Sequence, residues 1–174
     1  MADAARFEAF VREFQDMVYA TAVRLVGNPS DAEDIAQTVF LRAFERFASL
    51  DGHPTTPGWL KTVTTNLCLN HLTRYRARWQ FFSELDTSGG APGFIDRLAA
   101  AAAAPADDSD DAERLEGALQ GLPDHQRVPL VLFHFEERSY QDIADLLGVS
   151  LGKVKTDIHR GRDALKRVLR VPER

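Results

Sequence analysis

The sequence predicts an all-α protein of two small helical domains, three helices in the first and four in the second, joined by a flexible acidic linker. Three observations lead there. Apolar residues recur at the helical period through both halves of the chain. Ser30 with Glu33, and Ser139 with Asp142, have the spacing of capping boxes and mark a helix start in each half. Between the halves, Ser83 to Asp111 holds two glycine or proline clusters, an alanine run and an acid run, a composition with little to build a core from. The boundaries are therefore residues 1–82, a linker at 83–111, and residues 112–174.

A chain of 174 residues suits one medium domain or two small ones. Its 44% hydrophobic and 27% charged content is that of an ordinary water-soluble protein. A single cysteine, Cys68, leaves no disulfide framework and no cysteine-rich zinc site. Its neighbours Leu67 and Leu69 suggest a buried thiol. No signal pattern and no apolar run long enough to span a bilayer is present, which points to the cytoplasm and against direct membrane insertion.

Arg6 to Val26 places Phe7, Phe10, Phe14, Val18, Ala22 and Leu25 at helical spacing, with Gly27 and Asn28 as the stop. Ser30 to Phe47 reads as the second helix, with Ala32, Ile35, Val39, Ala43 and Phe47 inward. Asp34, Gln37, Thr38, Leu41 and Glu45 remain on the opposite face, which is either solvated or meets a partner. SLDGHPTT, with Asp51, Gly52 and Pro54, is a loop. Thr56 as cap and Pro57 as first residue open the third helix, with Leu60, Val63 and Leu67 inward. Its end, NHLTRYRARWQFF, interleaves arginines with Tyr75, Trp79, Phe81 and Phe82, as a basic helix end with core aromatics or as a platform for single-stranded nucleic acid.

Beyond the linker, Asp111 to Gln120 is a helix with Leu115, Ala118 and Leu119 inward. Leu122 and Pro123 open the next, whose Val128, Leu130, Val131, Leu132 and Phe135 pack beneath the last two. Those two, in SYQDIADLLGVSLGKVKTDIHRGR, read as a helix-turn-helix. Ser139 caps the first helix, Gly148 supplies the turn, and Ser150 caps the second. Ala144 is small where the helices cross, and Ile143, Leu147, Val149, Val154 and Ile158 close a shared core. Lys153, Thr156 and Arg160, flanked by Lys155, His159 and Arg162, form the polar face of the second helix, which suits the major groove of duplex DNA.

The net charge of −5 is unevenly spread. Glu84, Asp86, Asp96, Asp107, Asp108, Asp110, Asp111 and Glu113 face Arg97 alone, whereas 57–82 holds Lys61, Arg74, Arg76 and Arg78 without an acid, and 150–174 is strongly basic. Local charge governs phosphate contact, so two basic segments flank an acidic one. The histidines have no metal-ligand spacing and no glycine-rich phosphate loop occurs, so neither a metal, a cofactor nor an enzyme activity on a small-molecule substrate is expected.

The strings DAEDIAQTVFLRAF, GWLKTVTTN, LQGLPDHQR and SYQDIADLLGVSLGKVKTDIHRGR, in that order, resemble segments of the extracytoplasmic-function sigma subunits of bacterial RNA polymerase. The resemblance implies a sigma-2-like first domain and a sigma-4-like second one, with core polymerase, through its large-subunit clamp and flap, and promoter DNA as partners. An anti-sigma protein is a further implied partner. It assigns Glu33, Asp34, Gln37, Thr38 and Leu41 to polymerase binding. The loop at 50–56, with Asp51, Gly52 and His53, becomes a candidate pocket for a base flipped from the melted −10 element, with Trp59, Lys61, Asn66, Arg74, Arg76 and Arg78 on the strand-binding side. Ser139, Ser150, Lys153, Lys155, Thr156, Asp157, His159, Arg160 and Arg162 become the reader of the −35 element. No catalytic group is implied, since the polymerase performs the chemistry.

This chain departs from the family pattern at several of those positions. Thr38 stands where an acid is usual, Thr64 and Thr65 replace an Ala-Arg pair, and Asn70 and Thr73 replace charged residues. In the reading helix Lys153 replaces a threonine and Asp157 an arginine. An acid there repels phosphate unless it accepts from a cytosine amino group.

Overall fold

The structure, a computed structural model, describes residues 2–73 and 108–169. The chain divides into two compact units, Met1–Arg74 and Tyr75–Arg174. Among the described residues the regular structure is entirely helical.

The first unit contains α1 (Ala2–Val26), α2 (Pro29–Glu45), a single turn α3 (Phe47–Leu50) and α4 (Thr56–Thr73). Gly27 ends α1 with φ +70° while its amide donates to the Val23 carbonyl at 2.9 Å. The cap of α2 is Asn28, not Ser30: its backbone is extended, its side-chain oxygen accepts from the Asp31 amide at 3.1 Å, and Pro29 follows at the first turn. The fixed φ of proline favours the first helical position, which moves the cap upstream of the Ser30–Glu33 box. A second correction falls at the other end. Arg46, with φ −117° and ψ 17°, breaks the helix, so Phe47 starts α3 instead of closing α2.

Helices α1, α2 and α4 pack against one another. Their common core holds Val18, Ala22 and Leu25, then Ala32, Ile35, Val39 and Ala43, then Leu60, Cys68 and Leu72, all buried. Each large side chain among them contributes about 1.5–3 kcal/mol relative to exposure. Phe10 is buried, whereas Phe7 and Phe14 are only half-buried. These rings meet α2 and α3 edge-on, Phe7 against Phe44 at 5.0 Å and Phe10 against Phe47 at 5.5 Å.

The inward stripe of α4 is rotated from the expected one. Leu60, Thr64, Thr65, Cys68 and Leu72 are buried, while Val63 and Leu67 are half-buried. Threonine is small enough to let α4 approach its neighbours, and Thr64 satisfies its hydroxyl by donating to the Leu60 carbonyl at 2.7 Å. The Thr65 hydroxyl is buried and has no hydrogen-bond partner among the described residues. Thr56 does not cap α4: its buried hydroxyl donates to the Leu50 carbonyl at 2.5 Å and closes the loop before the helix.

The second unit contains α5 (Asp108–Gly121), α6 (Asp124–His134), α7 (Tyr140–Leu147) and α8 (Leu151–Leu169), and α8 packs on the other three. Helix α5 starts earlier than expected. Residues 108–111, assigned above to the linker, form its first turn. Arg127 is buried at 2% exposure, with one guanidinium nitrogen donating to the Leu122 carbonyl at 3.0 Å and another to the Asp124 carboxylate. A buried charge is tolerated because both needs are met.

Helix α8 crosses α6 closely. Gly161 is buried there, and a Cβ on it would stand 3.0 Å from Leu130 Cδ1 and 3.4 Å from the Gln126 carbonyl oxygen. Beside this crossing, Arg162 Nε donates to His134 Nε2 at 2.9 Å, and its guanidinium lies 5.4 Å from the centre of the Phe133 ring. Phe133 stacks in turn on Tyr140 at 4.6 Å, so one arginine ties α8 to α6 and, through the rings, to α7.

Two stability predictions follow from this packing. Thr65→Val keeps the side-chain shape and removes the orphan hydroxyl, whose burial costs about 1–3 kcal/mol. The urea midpoint of the first unit is expected to rise by an amount equivalent to about 1 kcal/mol; a fall would mean that the hydroxyl does have a partner. The second prediction concerns His134, whose pKa partial loss of hydration, and then the charge of Arg162, hold below the ordinary histidine value. The depressed group favours folding above the unfolded-state pKa, and that contribution is lost as the pH falls through the folded-state value. Thermal unfolding followed from pH 8 to pH 5 should show the second unit losing stability below about 6.5, modestly because His134 is exposed, and His134→Gln should flatten that dependence.

Candidate functional site

Three surfaces collect the predicted residues. The first is the helix-turn-helix of α7 and α8. Ser139 has extended backbone and its hydroxyl accepts from the Asp142 amide at 3.1 Å. Gly148, at φ +65°, donates its amide to the Ala144 carbonyl, and Val149 donates to the same oxygen at 3.1 Å. Only glycine takes this left-handed turn without strain, so the angle between the helices depends on it. Ser150 then accepts from the Lys153 amide at 3.2 Å. Both serines are therefore capping groups as well as surface groups.

Val154, Ile158, Gly161 and Val168 are the buried stripe of α8. Lys153, Lys155, Thr156, His159 and Arg160 are exposed, as expected for a face offered to DNA. Two of the nine residues assigned to this face are placed differently. Asp157 is buried at 5% exposure and accepts from Lys153 Nζ at 2.8 Å, so its carboxylate is turned away from solvent instead of standing among the exposed cations. Arg162 is half-buried in the contact with His134 and Phe133 described above. His159 Nε2 lies 3.3 Å from Asp163 Oδ2.

The second surface is the loop between α3 and α4. Asp51 is paired with Arg6 of α1, which anchors the loop to the start of that helix. Gly52 has φ +71°, and His53 Nδ1 accepts from the Thr55 hydroxyl at 2.7 Å and from its amide at 3.3 Å. A pocket opens here, walled by Arg6, Phe10, Glu13 and Phe14 from α1 and by Leu50 through Pro54. Trp59 and Lys61 are half-buried on the following turn, and Asn66 is exposed. Asn66 lies ten residues along α4 from Thr56, about 15 Å at the helical rise, so it does not share the pocket. Arg74, Arg76 and Arg78, with the interleaved aromatics and the linker as far as residue 107, lie outside the described residues.

The third surface is α2, where the five predicted residues divide between two clefts. Glu33, Gln37 and Leu41 line a groove shared with Phe7, Val11 and Tyr19 of α1. Asp34 and Thr38 line a smaller cleft against α4, with Asp31, Asn70 and His71. There His71 Nε2 stands 3.2 Å from Asp31 Oδ2, and the Thr38 hydroxyl donates back to the Asp34 carbonyl at 3.1 Å. The groove beside α1 has apolar walls and an exposed apolar rim, Leu41 at 68% and Phe44 at 59%. Phe44 was missed, because its helical position reads as a flank of the core; the signal was a second bulky apolar residue three positions after Leu41. The pairing of Arg6 with Asp51 was missed too, since a contact across 45 residues has no local sequence signature.

Among the described residues no group of three histidine, cysteine, aspartate or glutamate side chains is disposed to hold a metal ion. Nor, among those residues, is any helix long and apolar enough to cross a membrane.

The family model of sigma-70 region 2 matches residues 10–78, and that of sigma-70 region 4 matches residues 112–165. The ECF RNA polymerase sigma factor SigW of Bacillus subtilis is 31% identical over 171 residues, covering 97% of this chain and 91% of that protein. The ECF RNA polymerase sigma factor SigE of Mycolicibacterium smegmatis is 37% identical over 163 residues, covering 92% of this chain and 60% of that one. In fold, the chain is similar to the sigma factor RpoE solved in complex with the anti-sigma factor NepR from Bartonella quintana, at TM-score 0.51 and 23% identity, over 96% of this chain and 98% of that one. With two region matches in the order of its two helical units and a relative that covers 97% of its length, the chain belongs to the ECF family of RNA polymerase sigma factors, subunits that direct promoter-dependent transcription initiation.

Proposed function

We propose that the chain divides this work between its units: residues 1–82 bind core polymerase and open the −10 element, 83–111 act as a spacer, and 112–174 read the −35 element. The observation that carries the proposal is α8, whose buried stripe of Val154, Ile158 and Gly161 leaves Lys153, Lys155, Thr156, His159 and Arg160 exposed on a helix with a capped, accessible N-terminus. Such a helix enters the major groove with its first turns at base edges and its cations at phosphates. Net charge does not oppose this, because contact with phosphate is decided within a Debye length of about 8 Å.

For polymerase, the favoured surface is the α1–α2 groove. Leu41 and Phe44 supply apolar anchors that water solvates poorly, and Glu33 and Gln37 supply a polar rim, the composition of a protein-binding hot spot. Asp34 and Thr38, in the other cleft, act as flanking contacts. An anti-sigma protein that occupied the same groove would block core binding by exclusion. For the melted strand, the pocket beside Asp51, Gly52 and His53 has apolar walls in Phe10 and Phe14 for an extruded base.

The test is reconstitution. The purified chain added to core polymerase is expected to give promoter-dependent transcripts, and Leu41→Asp to weaken core binding by at least about tenfold, the equivalent of 1.4 kcal/mol. Transcription that required another sigma subunit, or tight sequence-specific DNA binding without polymerase, would reject the proposal. Separately, Lys155→Ala and Arg160→Ala in the reconstituted holoenzyme should each weaken promoter binding across sequences and lower the slope of log K against log salt by about one; unchanged slopes would remove these residues from the phosphate contacts.

A further inference from the structure

Lys153 and Asp157 are one turn apart on α8, with Lys153 Nζ 2.8 Å from Asp157 Oδ2. The pair is asymmetric: the lysine side chain is 41% exposed and the carboxylate side chain 7%. Helix stability does not account for it. Lys153 lies in the first turn, where the dipole disfavours a cation, and lysine preceding an acid by four residues is the weaker orientation of such a pair. A buried carboxylate is costly as well unless it is paired. Each residue alone is unfavourable where it stands, and their pairing fixes one geometry for a side chain that otherwise has many rotamers.

We propose that Asp157 is a positioning residue that holds the Lys153 ammonium toward the base edges, and that it does not itself touch DNA. This rests on the reading of α8 as the −35 reader and extends it to the origin of sequence preference. An ammonium has three donors, of which Asp157 takes one. The other two can serve further acceptors, and in the major groove guanine offers O6 and N7 together. Gly152, beside Lys153, would have nothing within 4 Å of a Cβ, so the approach is open. The ligand chemistry assigned to the pair is therefore a G·C base pair in the upstream element, recognised by a lysine whose entropy the buried carboxylate has already removed.

The experiment uses the reconstituted holoenzyme and a promoter selected by it from a randomised library, with each base pair of the upstream element then changed in turn. Lys153→Met, Asp157→Asn and the double variant are expected to relax preference at the same base pair, by about tenfold, with the double no worse than the singles. Asp157→Glu should restore most of the discrimination. Thermal unfolding of each variant separates loss of fold from loss of preference, and Asp157→Asn, which leaves no unpaired carboxylate inside, is the variant least prone to misfolding. Relaxation at a different base pair in Asp157→Asn would mean that the carboxylate contacts DNA itself and would overturn the proposal. So would a uniform loss across the panel that tracked thermal stability. A wild-type holoenzyme indifferent to the whole upstream panel, yet active on its promoter, would instead reject the −35 reading and the proposal with it.

Discussion

A Cβ on Gly161 would come within 3.0 Å of Leu130, and that closeness fixes both the separation of α8 from α6 and the rotation of α8 about its own axis. Once the glycine faces α6, Val154, Ile158 and Val168 follow it into the core by helical spacing. The residues left outside are then determined: Lys155, Thr156, His159 and Arg160 cannot turn inward without withdrawing the apolar stripe. The exposed face of the helix is thus a consequence of how its other face packs. Arg162, adjacent to the glycine, is drawn to the edge of the same crossing, where Phe133 and His134 receive it. Its charge serves the joint between helices before it serves any ligand.

The first unit shows the same logic with a different outcome. Helix α2 inserts Ala32, Ile35, Val39 and Ala43 between α1 and α4, and small residues at two of these four positions let the helices approach. A narrow stripe leaves room for grooves on both of its sides. One receives the aromatic edge contact of Phe7 with Phe44 and stays apolar at its rim; the other gathers Asp31, Asp34, Asn70 and His71 and is more polar. Leu41 and Phe44 remain exposed because the core is already filled by the residues beside them. Phe7 meets one edge of Phe44, and the rest of this apolar rim stays open to solvent.

The helices, their order and most of their inward residues were legible in the sequence, because periodicity and glycine stops are local signals. The buried residues of α2, and Val154 and Ile158 of α8, were read correctly for that reason. What failed was also local, but competitive. Asn28 and Ser30 are both capping residues, and proline at the first turn decided between them. The stripe of α4 rotated because Thr64 and Thr65 can be buried, which an apolar pattern does not register. Asp157 was the instructive error. As a charged residue on a basic helix it belonged, on type alone, to the exposed face; only the position of its neighbours revealed that it lies inside and is neutralised by Lys153. The division of α2 between two clefts was illegible for a related reason, since spacing gives a face but not where the neighbouring helices stop.

Under the proposed −35 reading, the pairing of Lys153 with Asp157 also separates affinity from preference along α8. A neutralised pair adds little to the attraction for phosphate, so the long-range field of this helix comes from Lys155, Arg160, Lys166 and Arg167, which the structure leaves exposed. Near the bases the balance reverses. Water excluded by an approaching duplex strengthens the ammonium's interactions with acceptors and penalises any base edge that offers none. A charge that is silent at a distance and selective at contact suits a protein that must leave non-specific DNA quickly, because non-specific affinity scales with the number of phosphates neutralised whereas discrimination does not. The cost is a carboxylate buried at 5% exposure, tolerable only while the lysine remains beside it.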